Sequence, residues 1–131
     1  MRDVVQNHLL QVVSLLAMEP PVSEDPDALR DERVKVLKAV ETLSMSDVVF
    51  GRYGGYLDEP GVADGSTTET YAAVKLEIDS WRWAGVPWIL RAGKSLSATV
   101  TEAVVDFQRP PRPLFADTDC APGPNQLRFR T

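Results

Sequence analysis

The chain has 131 residues, of which 19 are acidic and 14 basic, and its formal net charge of −5 argues against nucleic acid or an anionic membrane as a partner, since both require a basic face. With 44% hydrophobic residues the chain can bury one core, and its longest apolar run, residues 9–18, is about half the length of a membrane span. The single cysteine, Cys120, excludes an internal disulfide and fits a reducing, cytoplasmic compartment, and one cysteine with one histidine is too few for a zinc cluster.

The first predicted element is a helix over residues 3–19, ended by Pro20 and Pro21. Apolar residues occupy nearly every direction around this helix over residues 9–17, which predicts burial on most sides. One polar stripe interrupts the pattern and follows one helical face. Its members are Asp3, Asn7, Gln11 and Ser14.

His8, the only histidine of the chain, lies beside this stripe. Two interpretations fit it: a core histidine hydrogen-bonded to a neighbour, or a general base, because the pKa of imidazole is close to neutral pH. Asp3 lies about 140° from His8 around a regular α-helix. We therefore expect Asp3 to share a cleft with His8 without pairing with it directly.

A second, amphipathic helix is predicted over residues 27–42, and the pattern then changes to the two-residue period of strands. Residues 67–80 alternate clearly and predict a half-buried strand, and shorter strands are predicted at 48–50, 88–91, 102–108 and 127–130. Because the helices precede the strands without βα alternation, the pattern predicts an α+β fold, with two N-terminal helices packed on part of a mostly antiparallel sheet.

Lys94 follows Gly93 at the end of a predicted strand, where glycine allows a sharp turn or close approach to a ligand. The lysine fits either a solvated strand end or an ammonium group directed at an anionic or hydroxylated ligand. Neither this segment nor the GRYGGYL segment matches a phosphate-binding glycine motif. The WRWAGVPW segment fits a hydrophobic core or an aromatic platform for a sugar.

Four long segments together resemble the glucose-6-phosphate dehydrogenase family, in its order and spacing. They are RDVVQNHLLQVVSLLAMEPP, RDERVKVLKAV, GYLDEPGVADGSTTETYAAVKLEID and WAGVPWILRAGKSL. The resemblance covers nearly the whole chain and is weakest after Arg109.

The resemblance implies an enzyme that oxidises glucose 6-phosphate to the lactone and transfers hydride to NADP. His8 matches the family's proton acceptor, which takes the proton of the C1 hydroxyl. Asp3 matches a carboxylate that hydrogen-bonds the sugar, and Lys94 matches a lysine that contacts the bound substrate. The carboxylate partner of the histidine then lies outside this chain.

The resemblance also implies that residues 1–131 are part of the carboxyl-terminal domain for substrate binding and dimerisation, a piece of a longer polypeptide without the dinucleotide-binding domain. We therefore expect this chain to be inactive alone, and the full-length parent to be a homo-oligomer through the sheet. Arg91 matches an arginine associated in some members with a second NADP, but Thr99 and Val100 replace basic residues of relatives, so no such site is assigned. The alternatives are a non-catalytic binding module from the same domain and an unrelated sugar-phosphate-binding domain that uses Lys94 and the tryptophans.

Overall fold

A computed structural model describes residues 3–109, 111–112 and 123–130. The chain divides into two compact units, Met1–Ser95 and Leu96–Thr131. Cys120 and most of the Pro-rich connection that precedes the last strand lie outside the described residues.

The predicted N-terminal helix forms, but in two parts of different geometry. Val4–Leu9 is a π-helical turn, and the α-helix α1, Leu10–Ala17, continues from it. The backbone N–H of Leu10 donates to the carbonyl of Val5, five residues earlier, which is the wide hydrogen-bond spacing of a π-helix. A single π turn of this kind inside a helix is frequent at functional sites.

The second helix, α2, spans Pro26–Ala39 and begins with a well-formed cap. The Asp25 carboxylate accepts the N–H of Asp27 at 3.1 Å, and Pro26 occupies the first helical position, where its missing N–H costs nothing. Ser14 joins the two helices, because its fully buried hydroxyl donates to the Gln11 carbonyl at 2.8 Å and accepts from Arg33 Nε at 3.0 Å.

The predicted burial of α1 on most sides is wrong. Val13, Ser14 and Ala17 are buried, but the side chains on the opposite face are not covered within this unit. Val12, Leu15 and Leu16 are 40%, 48% and 38% exposed. The helix carries more apolar surface than α2 and one small sheet can cover.

The sheet of the first unit is antiparallel, in the order β1-β2-β3, with β1 at Val48–Gly51, β2 at Tyr71–Leu76 and β3 at Trp88–Gly93. The predicted alternation of β2 is confirmed, since Ala72, Val74 and Leu76 are buried while the residues between them face outward. The core lies between this face and the two helices. Its buried members are Val13, Ala17, Val36, Val74, Leu76, Ile78 and Leu90.

The tryptophan cluster divides between core and surface. Trp83 and Trp88 pack against the core. Their two rings contact each other edge-to-face, with centroids 4.8 Å apart. Trp83 Nε1–H also donates to the Ala17 carbonyl at 2.8 Å and so satisfies one of the free carbonyls at the end of α1. Trp81 is fully exposed, so the interpretation of the segment as core holds for two of its three rings.

The second unit contains an antiparallel pair, β4 at Glu102–Asp106 and β5 at Gln126–Arg130. Glu102 pairs with Arg130 in the register, and its carboxylate lies 3.6 Å from Arg128. Both strands were predicted, and the α+β fold with a mostly antiparallel sheet is confirmed.

Candidate functional site

The π turn brings the two predicted residues of the N-terminal helix together. His8 Nε2 lies 3.8 Å from Asp3 Oδ2. The expectation that these side chains do not pair directly is therefore wrong, because it assumed α-helical geometry. In a π turn, residue i+5 lies about one turn above residue i, so His8 returns to the side of Asp3.

Asn7 completes this arrangement and was not singled out by the sequence beyond its place in the polar stripe. Its side-chain Nδ2 donates a hydrogen bond to Asp3 Oδ1. The two oxygens of Asp3 therefore face two different neighbours, the amide of Asn7 and the imidazole of His8. The i, i+4 spacing of the stripe is the signal that could have identified this contact.

His8 is not a core histidine. Its side chain is 69% exposed and that of Asp3 is 74% exposed. An exposed imidazole in this position is open to a ligand or to solvent. Of the two interpretations of His8 left open by the sequence, its exposure contradicts the core histidine, and the general base stays a prediction.

Lys94 is held where β3 ends. Its backbone N–H donates to the carbonyl of Thr70 at 2.9 Å, and its side chain is exposed. Gly93 is the last residue of β3 and pairs with Tyr71 in the regular register. The left-handed backbone conformation that follows is adopted by Ser95, with φ of 54°, so Ser95 rather than Gly93 makes the turn.

A cavity of about 290 Å³ lies between this strand end and the π turn. Val4, which follows Asp3 in the chain, and Lys94 both line it. The remaining lining residues are Tyr56, Thr68, Glu69, Thr70, Ala92 and Gly93. The structure thus brings the strand carrying Lys94 to the same cavity as the beginning of the helix that carries Asp3 and His8.

Tyr56 gives this cavity an aromatic wall that sequence reasoning missed. It follows Gly55, whose φ of 86° requires the left-handed region, and it begins a short 3₁₀ turn, Tyr56–Asp58. Tyr53 supports it through an edge-to-face contact with centroids 5.7 Å apart. Tyr53 in turn donates its hydroxyl to Glu59 at 3.2 Å, and burial together with this carboxylate raises the pKa of Tyr53.

Outside this cavity, a shallower hollow of about 500 Å³ is lined by Arg52, Leu57 and residues 65–69 and contains none of the predicted site residues. Nowhere in the described ranges do three or more His, Cys, Asp or Glu side chains gather closely enough to hold a metal ion. Across the same residues, every helix falls short of the length and apolarity needed to cross a membrane.

Comparison with known proteins identifies the family. The sequence model of the C-terminal domain of glucose-6-phosphate dehydrogenase matches residues 1–131, the whole chain. The chain belongs to the glucose-6-phosphate dehydrogenase family. The predicted resemblance is confirmed, and the alternative of an unrelated sugar-phosphate-binding domain is wrong.

Relatives in this family are similar along the whole chain. Glucose-6-phosphate 1-dehydrogenase 1 of Mycobacterium tuberculosis is 48% identical over 130 residues, which cover 99% of this chain and 28% of that protein. The enzyme of Dictyostelium discoideum is 48% identical over 126 residues, covering 90% of this chain and 25% of its own length. The chain therefore spans less than a third of these relatives.

Two solved glucose-6-phosphate dehydrogenase structures share the fold. The enzyme of Mycobacterium avium superposes with a TM-score of 0.89 at 50% identity, covering 98% of this chain and 29% of that one. A glucose-6-phosphate dehydrogenase in complex with its substrate glucose-6-phosphate superposes with a TM-score of 0.88 at 43% identity, covering 98% and 28%.

The residues considered for a second NADP in this family belong to both units. Arg91 lies on β3, opposite Ala73, and is exposed. Thr99 and Val100 are exposed residues of the second unit. A second NADP stays unassigned, because Thr99 and Val100 cannot supply the positive charge of the basic residues that they replace.

Proposed function

We propose that this chain forms the sugar-binding side of the active site of a glucose-6-phosphate dehydrogenase. The substrate is glucose 6-phosphate, the product is the lactone, and the hydride acceptor is NADP. The observation that carries the proposal is the exposed pair of His8 and Asp3. Val4, which follows Asp3 and begins the π turn, lines one cavity with Lys94.

Each predicted site residue has a distinct task in this proposal. His8 accepts the proton of the C1 hydroxyl as hydride leaves C1, so that the oxygen can form the lactone carbonyl. Asp3 accepts a hydrogen bond from a hydroxyl of the sugar. Lys94 supplies the positive charge that meets the anionic substrate, and its backbone bond to Thr70 fixes the direction from which it reaches the cavity.

The glycine-containing segment after β1 does not provide a site for the pyrophosphate of NADP. The glycine-containing segment after β1 leads into the three-residue 3₁₀ turn Tyr56–Asp58 and not into a helix whose N-terminus could receive a pyrophosphate. The chain spans less than a third of its relatives, and we assign NADP binding to the part of the protein beyond it. The role of residues 3–95 is to bind and orient the sugar and to remove its proton.

The test of this mechanism is His8→Asn in the full-length protein. Loss of a positioned general base costs roughly 10²- to 10⁴-fold, so turnover is expected to fall by that factor while the KM for glucose 6-phosphate stays within a few-fold. Gln11→Ala, on the same helix, is the control and leaves both parameters unchanged. Turnover of His8→Asn within tenfold of the unmodified enzyme would contradict the role of His8.

The 131-residue chain alone is expected to be inactive. Positioning of two reactants contributes up to about 7–11 kcal/mol of barrier lowering, and without a bound hydride acceptor that contribution is lost. Absorbance of reduced NADP is the readout, with the full-length protein as positive control. Any glucose-6-phosphate-dependent reduction of NADP by the purified chain contradicts the assignment of NADP binding to the rest of the protein.

We further propose a cytoplasmic enzyme that assembles into a homo-oligomer through the sheet. Val49 on β1 and Ile89 on β3 are exposed on the outward face, which supports an apolar contact there. Val49→Lys with Ile89→Lys is expected to lower the sedimentation coefficient of the full-length protein. An unchanged coefficient would place the contact elsewhere.

A further inference from the structure

We infer that Asn7 is a positioning residue, which holds the Asp3 carboxylate in the orientation that meets the sugar. The inference rests on the proposed function and extends it by one residue. Its direct observation is the hydrogen bond from Asn7 Nδ2 to Asp3 Oδ1, while Asp3 Oδ2 lies 3.8 Å from His8 Nε2.

The π turn explains how one carboxylate serves two neighbours. In an α-helix, position i+4 lies next to position i and position i+5 has turned away. The wider turn at Val4–Leu9 brings i+5 back beside i, so Asn7 and His8 flank Asp3 together. The amide occupies one oxygen and leaves the other on the side of the imidazole.

An amide suits this task better than a cation would. Asp3 is 74% exposed at the beginning of the helix, where an unheld carboxylate rotates freely and loses rotamer entropy on meeting a ligand. Asn7 restrains the rotation of the Asp3 carboxylate through a neutral donor. The negative charge of Asp3 therefore stays available to the sugar. A lysine or arginine at this position would restrain the same group but offset its charge.

The experiment compares Asn7→Ala and Asn7→Asp with the unmodified full-length enzyme. Loss of one hydrogen bond of this kind corresponds to roughly a 3- to 10-fold rise in the KM for glucose 6-phosphate. The KM for NADP is expected to stay unchanged. Asn7→Asp is isosteric and places a second carboxylate against Asp3, so its KM is expected to rise further.

A matched control lies one turn along the same polar stripe. Gln11→Glu makes the same amide-to-carboxylate change on the same helix, and it is expected to leave both KM values within twofold. If Gln11→Glu raises the KM as much as Asn7→Asp does, the effect is general repulsion of the substrate phosphate and the inference is overturned.

A double-mutant cycle separates positioning from a purely structural effect. If Asn7 acts through Asp3, Asn7→Ala raises the KM in the native background and has no further effect in an Asp3→Ala background. Additive effects would show that Asn7 acts independently of Asp3, and the inference fails.

The same set of variants distinguishes this inference from the proposed function. If Asp3→Ala leaves the KM for glucose 6-phosphate unchanged, the assignment of Asp3 to the sugar is wrong, and the inference falls with it. If Asp3→Ala raises the KM and Asn7→Ala does not, the proposed function stands and only the role of Asn7 is refuted.

Discussion

The bond between Ser14 and Arg33 should be the main polar connection between the two helices, and removing it tests how α1 is held. Ser14 is completely buried, and its hydroxyl accepts from Arg33 Nε at 3.0 Å while it donates to the Gln11 carbonyl at 2.8 Å. In Ser14→Ala the guanidinium N–H loses its acceptor in a partly buried position. A hydrogen bond to a charged group contributes about 1.5–3 kcal/mol, so we expect the free energy of unfolding to fall by about 2 kcal/mol.

The assay is urea denaturation of the full-length protein in a double-mutant cycle of Ser14→Ala and Arg33→Met. Because both changes remove the same bond, the double variant is expected to be less destabilised than the sum of the single variants, with a coupling of about 1.5 kcal/mol or more. Ser97→Ala, at an exposed serine, is the control and should stay within about 0.5 kcal/mol. Additive effects of Ser14→Ala and Arg33→Met would refute the reasoning.

Three further predictions concern the core, the end of α1 and one carboxylate. Ile78 is 2% exposed, so Ile78→Ala should lower the free energy of unfolding by about 2–5 kcal/mol and Ile78→Val by only about 0.5–1.5 kcal/mol. The same urea denaturation measures both values, and equal losses for the two variants would contradict close packing around Ile78. Trp83→Phe keeps a ring in contact with Trp88 but removes the donor to the Ala17 carbonyl, so the free energy of unfolding should fall by about 1 kcal/mol. An unchanged free energy of unfolding would show that water replaces the indole N–H. The hydroxyl and N–H of Ser44 donate to Asp47 and lower the pKa of that carboxyl, so its stabilisation is present at neutral pH and is lost as the pH falls through the folded-state pKa. Asp47→Asn should therefore lower the free energy of unfolding at pH 7, and this loss should shrink once the pH falls below 3.8, the ordinary pKa of the carboxyl group. A loss that is the same at every pH would contradict the sign of the pKa shift.

Much of the fold could be predicted because its signals are local. The alternation in β2 follows from a half-buried pleated strand, and the start of α2 follows from Asp25 and Pro26, whose cap and fixed φ act within one turn. The strands were located by period and turn residues, so only their ends differ from the prediction.

The rest depends on contacts that no short window of sequence contains. The residues of the π turn, VVQNHL, carry the same periodicity as an α-helix, so the 140° separation of Asp3 and His8 was assigned from the wrong geometry. Trp81 and Trp83 have similar neighbours in the chain, yet only Trp83 reaches the end of α1. The wall formed by Tyr56 depends on the fold that brings a loop and two distant segments together.

The single wide turn at Val4–Leu9 accommodates one residue more between Asp3 and His8 than an α-helix can place on one face. Deleting one residue there would let the helix close into regular α geometry while α1 stays seated on its neighbours. If the deleted residue lies between Asp3 and His8, the two stand four positions apart, and an α-helix places positions four apart on one face, so the pair would be kept without the wide turn. An insertion between them acts differently, because it carries Asp3 about 100° further around the helix and one π turn already accommodates the single extra residue that is present.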